Sequence, residues 1–121
     1  MIDWIGRRVF LFHLEIDMRK GFEALSDAVR GLMKKNIMEG DAYLFLGKNA
    51  RRVKVLIFDG TGLVLISKRL EKGRFQRLAD FDERREISLV ELGLIFQGTQ
   101  INFAFQRKDF SQTAPRTVAP S

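Results

Sequence analysis

The side chains with chemical potential are four aspartates, one histidine and a concentration of cations. Asp17, Asp59, Asp80 and Asp82 are the carboxylates that a phosphodiester-cleaving site would draw on. Two-metal cleavage needs such carboxylates to bridge ions about 3.5–4 Å apart. Their sequence contexts assign them other work. Asp17 stands where an amphipathic helix would start and reads as its N-cap. Asp59-Gly60-Thr61-Gly62 is a hairpin turn, with Asp59 in a position that favours aspartate, and not a phosphate-cradling loop between a strand and a helix. Asp80 and Asp82 fall in a charged loop running into Glu83-Arg84-Arg85-Glu86. His13, the single histidine, alternates with apolar residues and reads as structural. There is no cysteine, which excludes disulfides, thiolate metal sites and cysteine nucleophiles. The expectation is therefore no catalytic residue, no metal and no cofactor.

The cations are another matter. The chain carries 21 Lys+Arg against 15 Asp+Glu, a formal charge of +6. Residues 48–77 hold Lys48, Arg51, Arg52, Lys54, Lys68, Arg69, Lys72, Arg74 and Arg77 against only Asp59 and Glu71. That stretch alone is +7, so the remainder is close to neutral. Positive charge concentrated in this way is the footprint of nucleic-acid contact, against the plainer alternative of a solvated basic hairpin. Arg52, Lys54, Lys68, Arg69, Lys72 and Arg74 are the expected DNA-contacting residues. Arg19 and Lys20 join them, because a phosphate at a helix start would offset their unfavourable place in the first turn. Pairing with Glu15 or Glu23 is the alternative for these two.

These residues need elements to position them. Residues 7–14 are β-branched and aromatic and read as a buried strand. Met18, Phe22, Leu25, Val29 and Leu32 recur at helical spacing, which predicts a long helix from Asp17. Strands follow at 43–46, 53–58 and 63–70. With a tight turn at Gly60-Thr61, Phe58 faces Leu63 and Lys54 faces Ser67. Period two then puts Val53, Val55, Ile57, Val64 and Ile66 on one face, with Lys68 at its end. The other face carries Leu56, Phe58, Leu63 and Leu65 near the turn and Arg52, Lys54 and Arg69 at the open end. The helix is expected to pack on the Val53–Val55–Ile57 face. The Leu56–Phe58–Leu63–Leu65 face is left for another helix of the chain or for a partner. Ser88 and Glu91 predict a capping box, with Ile87 stapling onto Leu92 and Gly98 ending the helix. Ile101, Phe103 and Phe105 alternate as a last strand. The order β-α-β-β-β-α-β gives an α+β fold on an antiparallel sheet.

A chain of 121 residues, 45% hydrophobic and 30% charged, fits one globular domain. That domain is expected over residues 1–108, with 109–121, which hold both prolines, as a disordered tail. No apolar run approaches the ~18 residues of a membrane span. The N-terminus lacks a signal-peptide pattern. No membrane contact and a cytoplasmic location are expected.

Taken in order, several segments resemble a known family. They are Asp17-Met18-Arg19-Lys20-Gly21-Phe22, Leu44-Phe45-Leu46-Gly47, Val53-Lys54-Val55-Leu56, Asp59-Gly60-Thr61-Gly62-Leu63 and Lys68-Arg69-Leu70-Glu71-Lys72-Gly73-Arg74-Phe75. The set is similar to the small accessory protein encoded by the second open reading frame of bacterial insertion sequence sixty-six transposons, often labelled TnpB and unrelated to the RNA-guided nuclease of that label. The resemblance spans roughly residues 7–98. It implies a bacterial, non-catalytic role in transposition, a form of DNA recombination, with strand cutting left to a separate transposase. The expected partners are DNA at the element ends and the transposase of the same element, with a second copy of the chain as another way to cover the apolar hairpin face. The alternative is a protein-interaction module, dimeric or transposase-docking, that does not bind DNA. This chain has Phe58 where the family usually has Trp, and Gly98-Thr99-Gln100-Ile101-Asn102 where it usually ends near Gly-x-Asp-Trp-Arg.

Overall fold

The computed structural model describes residues 2–81 and 85–101. Among the described residues five strands form one sheet: β1 (Val9–Leu11), β2 (Ala42–Leu46), β3 (Arg52–Phe58), β4 (Leu63–Arg69) and β5 (Glu86–Ile87). Their spatial order is β4-β3-β2-β1-β5. Two helices complete the fold, α1 (Phe22–Ala28) and α2 (Leu89–Phe96). The mixed α+β class expected from the sequence is therefore present. Among the described residues no helix is long and apolar enough to cross a membrane.

The β3–β4 hairpin has the expected register. Phe58 pairs with Leu63, Lys54 with Ser67 and Arg52 with Arg69. Asp59 holds its turn, with Oδ1 accepting from the Thr61 and Gly62 backbone N–H groups, both at 2.9 Å. Those bonds lower its pKa from the usual aspartate value. A depressed folded pKa contributes stability above the unfolded pKa, and that contribution disappears as pH falls through the folded value. Acidification below the ordinary aspartate range should thus loosen the turn. Faster amide exchange at Thr61 and Gly62, corrected for intrinsic rates, is the expected readout; unchanged protection there would exclude the role.

The sheet is not wholly antiparallel. β1 runs parallel to β2, with Val9 opposite Ala42 and Leu11 opposite Leu44. The thirty residues between them include α1, and a crossover of that kind returns the chain in the same direction. β1 is also shorter than residues 7–14, so His13 lies in a bend beyond it, its ring 4.8 Å from that of Phe12. Ile87, expected as a helix staple, instead pairs with Val9 in the two-residue β5.

The long helix from Asp17 is replaced by shorter pieces. Asp17 caps a turn, its Oδ1 accepting from the Arg19 N–H at 3.0 Å. α1 starts only at Phe22, after Gly21 as N-cap. It passes into a π-helical turn, Val29–Met33, which Lys34 ends in the left-handed region at φ 58°. α2 matches its sequence signals. Ser88 and Glu91 close the capping box, and Gly98 follows at φ +90°. The expected last strand lies beyond Ile101 and, with the tail, outside the described residues.

β2 is buried on both faces, which its unbroken Ala-Tyr-Leu-Phe-Leu run reflects. Val9, Leu11, Leu44, Val53, Val55 and Ile57 pack on one side with Leu92 and Ile95 of α2. Phe10, Phe12, Tyr43, Phe45 and Leu56 pack on the other with Leu25 and Val29 of α1. The expected docking of α1 on the Val53–Val55–Ile57 face is thus corrected: α2 takes that face and α1 the opposite one. Phe22 and Leu32, expected in the α1 stripe, are exposed. The π-helical turn adds residues per turn, which moves Leu32 out of phase with Leu25.

Candidate nucleic-acid interface

The open end of the β3–β4 hairpin gathers cations from five segments. Arg52 and Arg69 are direct cross-strand neighbours, and Lys54 lies two residues from Arg52 on the same face. Both arginines are exposed. Arg69 pairs with Glu71 at 3.1 Å, a contact between exposed groups that contributes little to stability. Lys54 donates through Nζ to the Lys20 carbonyl at 2.7 Å, which fastens the Asp17–Lys20 turn beside the hairpin. The same turn is locked from below. Ile16 bridges to Gly47, and a β-carbon on Gly47 would stand 2.8 Å from Met18 Cγ. Only glycine leaves room for Met18 to seat there.

Arg19 binds neither Glu15 nor Glu23. Its guanidinium grips Asp17, with Nη2–Oδ2 at 2.7 Å and Nε–Oδ1 at 3.0 Å. These bonds hold the Asp17 carboxyl well below the usual range and raise Arg19. The pair is electrically compensated, so Arg19 adds less positive field than the sequence suggests.

The β2–β3 turn contributes what the sequence reading left out. The Asn49 carbonyl accepts from Arg74 Nη1 at 2.8 Å, and the Lys48 carbonyl from Arg77 Nη1 at 3.2 Å. The chain reaches this turn because Phe75 is buried and its N–H donates to the Ala50 carbonyl at 2.7 Å. Leu70 N–H donates likewise to the Arg51 carbonyl at 3.0 Å. Each of these arginines uses one donor on a fixed carbonyl and is otherwise exposed, which leaves further donors for oxyanions. Arg77 and Lys48 thus join the cluster. Their signal was in the charge count of residues 48–77, but not their convergence. Between the two turns runs a groove of about 620 Å³, lined by Asp17, Met18, Arg19, Lys48, Asn49 and Arg52 among others. Among the described residues, the Lys20, Lys48, Arg52 and Lys72 side chains have no hydrogen bond or ion pair.

Lys68 stands apart. It lies on the opposite sheet face, where Nζ donates to the Phe96 carbonyl at 2.7 Å in the last turn of α2. An ammonium there complements the helix dipole. The four residues expected to meet a partner also divide. Leu56 is fully buried, and Leu63 and Leu65 pack partly buried on the α1 side of the sheet. Phe58 is half-buried by the hairpin turn, and its carbonyl accepts from Arg7 Nη1 at 2.9 Å. The chain's own helix occupies most of this face.

Among the described residues the carboxylates do not converge. Asp17 and Asp59 hold their turns, Asp80 ends a short 3-10 turn, and Asp82 lies outside the described residues. Among the described residues no three His, Cys, Asp or Glu side chains gather as a metal site.

The described residues thus form a small α/β/α layered domain with a basic end. The chain belongs to the IS66 Orf2-like protein family, whose model matches residues 7–105. That ties it to transposition, as an accessory Orf2-type protein of IS66 elements. The uncharacterized protein y4hO of Sinorhizobium fredii is 38% identical over 68 residues, 56% of this chain and 59% of that protein. The uncharacterized protein y4jC of the same organism is 30% identical over 70 residues, 58% of this chain and 60% of that protein. The chain therefore spans about three fifths of the curated relatives it matches. No solved structure matches.

Proposed function

We propose that this protein is a non-catalytic accessory factor of transposition that grips the DNA backbone with its basic end and so assists the transposase of its element. The carrying observation is the convergence of Arg52, Arg69, Arg74 and Arg77 with Lys20, Lys48 and Lys54 around two adjoining turns. Like charges brought so close repel one another, and phosphates relieve that repulsion. The contact is largely independent of sequence, because among the described residues no helix carries a row of base-reading side chains for the major groove. Cytoplasmic action, at the site of the DNA, goes with this reading.

Salt titration of duplex binding tests it. Each neutralised phosphate contributes about −0.9 to the log–log slope, so about three to five contacts predict slopes of about −3 to −4.5. Arg52→Glu with Arg69→Glu should flatten the slope by about 1.8 and weaken unrelated sequences alike. Both positions are exposed, so the melting temperature should hold. A double variant that binds DNA like the parent, alone and with transposase, returns the basic end to plain solvated surface. The protein then acts through protein contacts alone.

A further inference from the structure

The sheet face opposite Arg52, Lys54 and Arg69 is covered by α2, and α2 is apolar on both sides. Leu92 and Ile95 are buried against the sheet. Leu89, Val90 and Leu94 remain 37%, 74% and 36% exposed. The one charged residue of the helix, Glu91, turns its carboxylate back to accept from the Ser88 N–H at 2.8 Å. Beside the helix opens an apolar cleft of about 310 Å³. Trp4, Leu92, Gly93 and Phe96 line it over a floor of Val55 and Ile66. A β-carbon built on Gly93 would meet no atom within 4 Å, so the helix backbone lies open to close approach at that point.

We propose that this face is a homodimer interface and that its occupant is the α2 face of a second copy of the chain. Protruding side chains and a cleft lie on the same patch, which is what a two-fold, isologous contact requires. With two α2 helices crossing at Gly93, Val90 and Leu94 of each copy face the cleft of the other. Charge points the same way. Two copies at +6 each repel least through a face whose described ionic groups, Glu91 and Lys68, are both engaged within their own chain. Leu89, Val90, Gly93, Leu94 and Phe96 offer no cation to an acidic or nucleic-acid partner, which is drawn to the basic end instead. The dimer leaves both basic ends free on its outer sides. This inference stands on the α2 surface and is independent of DNA binding.

The full chain, free of partners, should show the mass of a dimer by light scattering at micromolar concentration. Val90→Glu with Leu94→Glu should halve that mass while the circular dichroism spectrum holds. The native chain has no cysteine, so a single introduced thiol reports proximity directly. Gly93→Cys should oxidise to a covalent dimer much faster than Thr61→Cys, a control at the exposed hairpin turn. A monomeric mass across the concentration range overturns the proposal, as does a glutamate double variant that stays dimeric. So does Gly93→Cys crosslinking no faster than Thr61→Cys. A chain that is monomeric alone and loses transposase capture on Val90→Glu with Leu94→Glu assigns the face to the transposase and likewise overturns it.

Discussion

Leu25→Ala is expected to remove about 2–5 kcal/mol of folding stability, the range for emptying a fully packed leucine site. Leu25 has no exposed surface and belongs to the buried cluster of Phe10, Phe12, Tyr43, Phe45 and Leu56. Those neighbours are mostly large rings held by the sheet, including Phe12 and Phe45 with centroids 5.2 Å apart. Rings fixed in this way collapse poorly into a vacated volume, which favours the upper half of the range. A small domain has only about 5–15 kcal/mol in total, so the loss would be a large fraction of it. Leu32→Ala supplies the control. Leu32 was in the same expected stripe but is 57% exposed. Its replacement should stay within about 0.5 kcal/mol. Urea denaturation of the two variants decides the case. Equal midpoints would mean that α1 does not face the sheet through Leu25.

The second large effect is expected at Gln76, which is 1% exposed. Its Oε1 accepts from the Ile101 N–H at 2.6 Å, and its Nε2 donates to the Ile101 carbonyl at 3.1 Å. A longer bond from Nε2 reaches the Asp80 carbonyl at 3.3 Å. Gln76→Leu keeps much of the volume and removes every one of these partners. Each buried group left unpaired costs about 1–3 kcal/mol, so the N–H and carbonyl of Ile101 together cost at least about 2 kcal/mol. The amide exchange of Ile101 should accelerate more than that of β3. Gln76→Glu separates the hydrogen bonds from packing. A buried glutamate has a raised pKa, and only its protonated form can donate to a carbonyl. That variant should therefore be more stable, relative to the parent, at mildly acidic than at neutral pH. A Gln76→Leu protein that unfolds with the parent would show that the segment through Ile101 is held by other contacts.

Much of the local structure was legible because it depends on neighbours in sequence. The Asp59–Gly62 turn sets the register of its hairpin, so Arg52, Lys54 and Arg69 could be placed on one face from period two alone. The Ser88–Glu91 box and Gly98 likewise bracket α2 by short-range hydrogen bonding and backbone preference. Asp17 misled for the same reason. It does cap a turn, but the turn ends at Lys20 and α1 begins after Gly21, and a cap residue does not report how far its turn continues.

By itself the sequence determined the α+β composition, the β3–β4 register, the α2 boundaries and the concentration of charge in residues 48–77. All of these follow from interactions within a few residues or across one tight turn. Only the tertiary structure decided which helix covers which sheet face, the parallel pairing of β1 with β2, and the use of Ile87 as a strand. It also decided that Lys68 faces α2 while Arg74 and Arg77 clasp the β2–β3 turn. The physical reason is that both faces of this sheet are apolar, so alternation cannot say which helix each one receives. The arginines converge because Phe75, far from that turn in sequence, is buried and brings its neighbours with it.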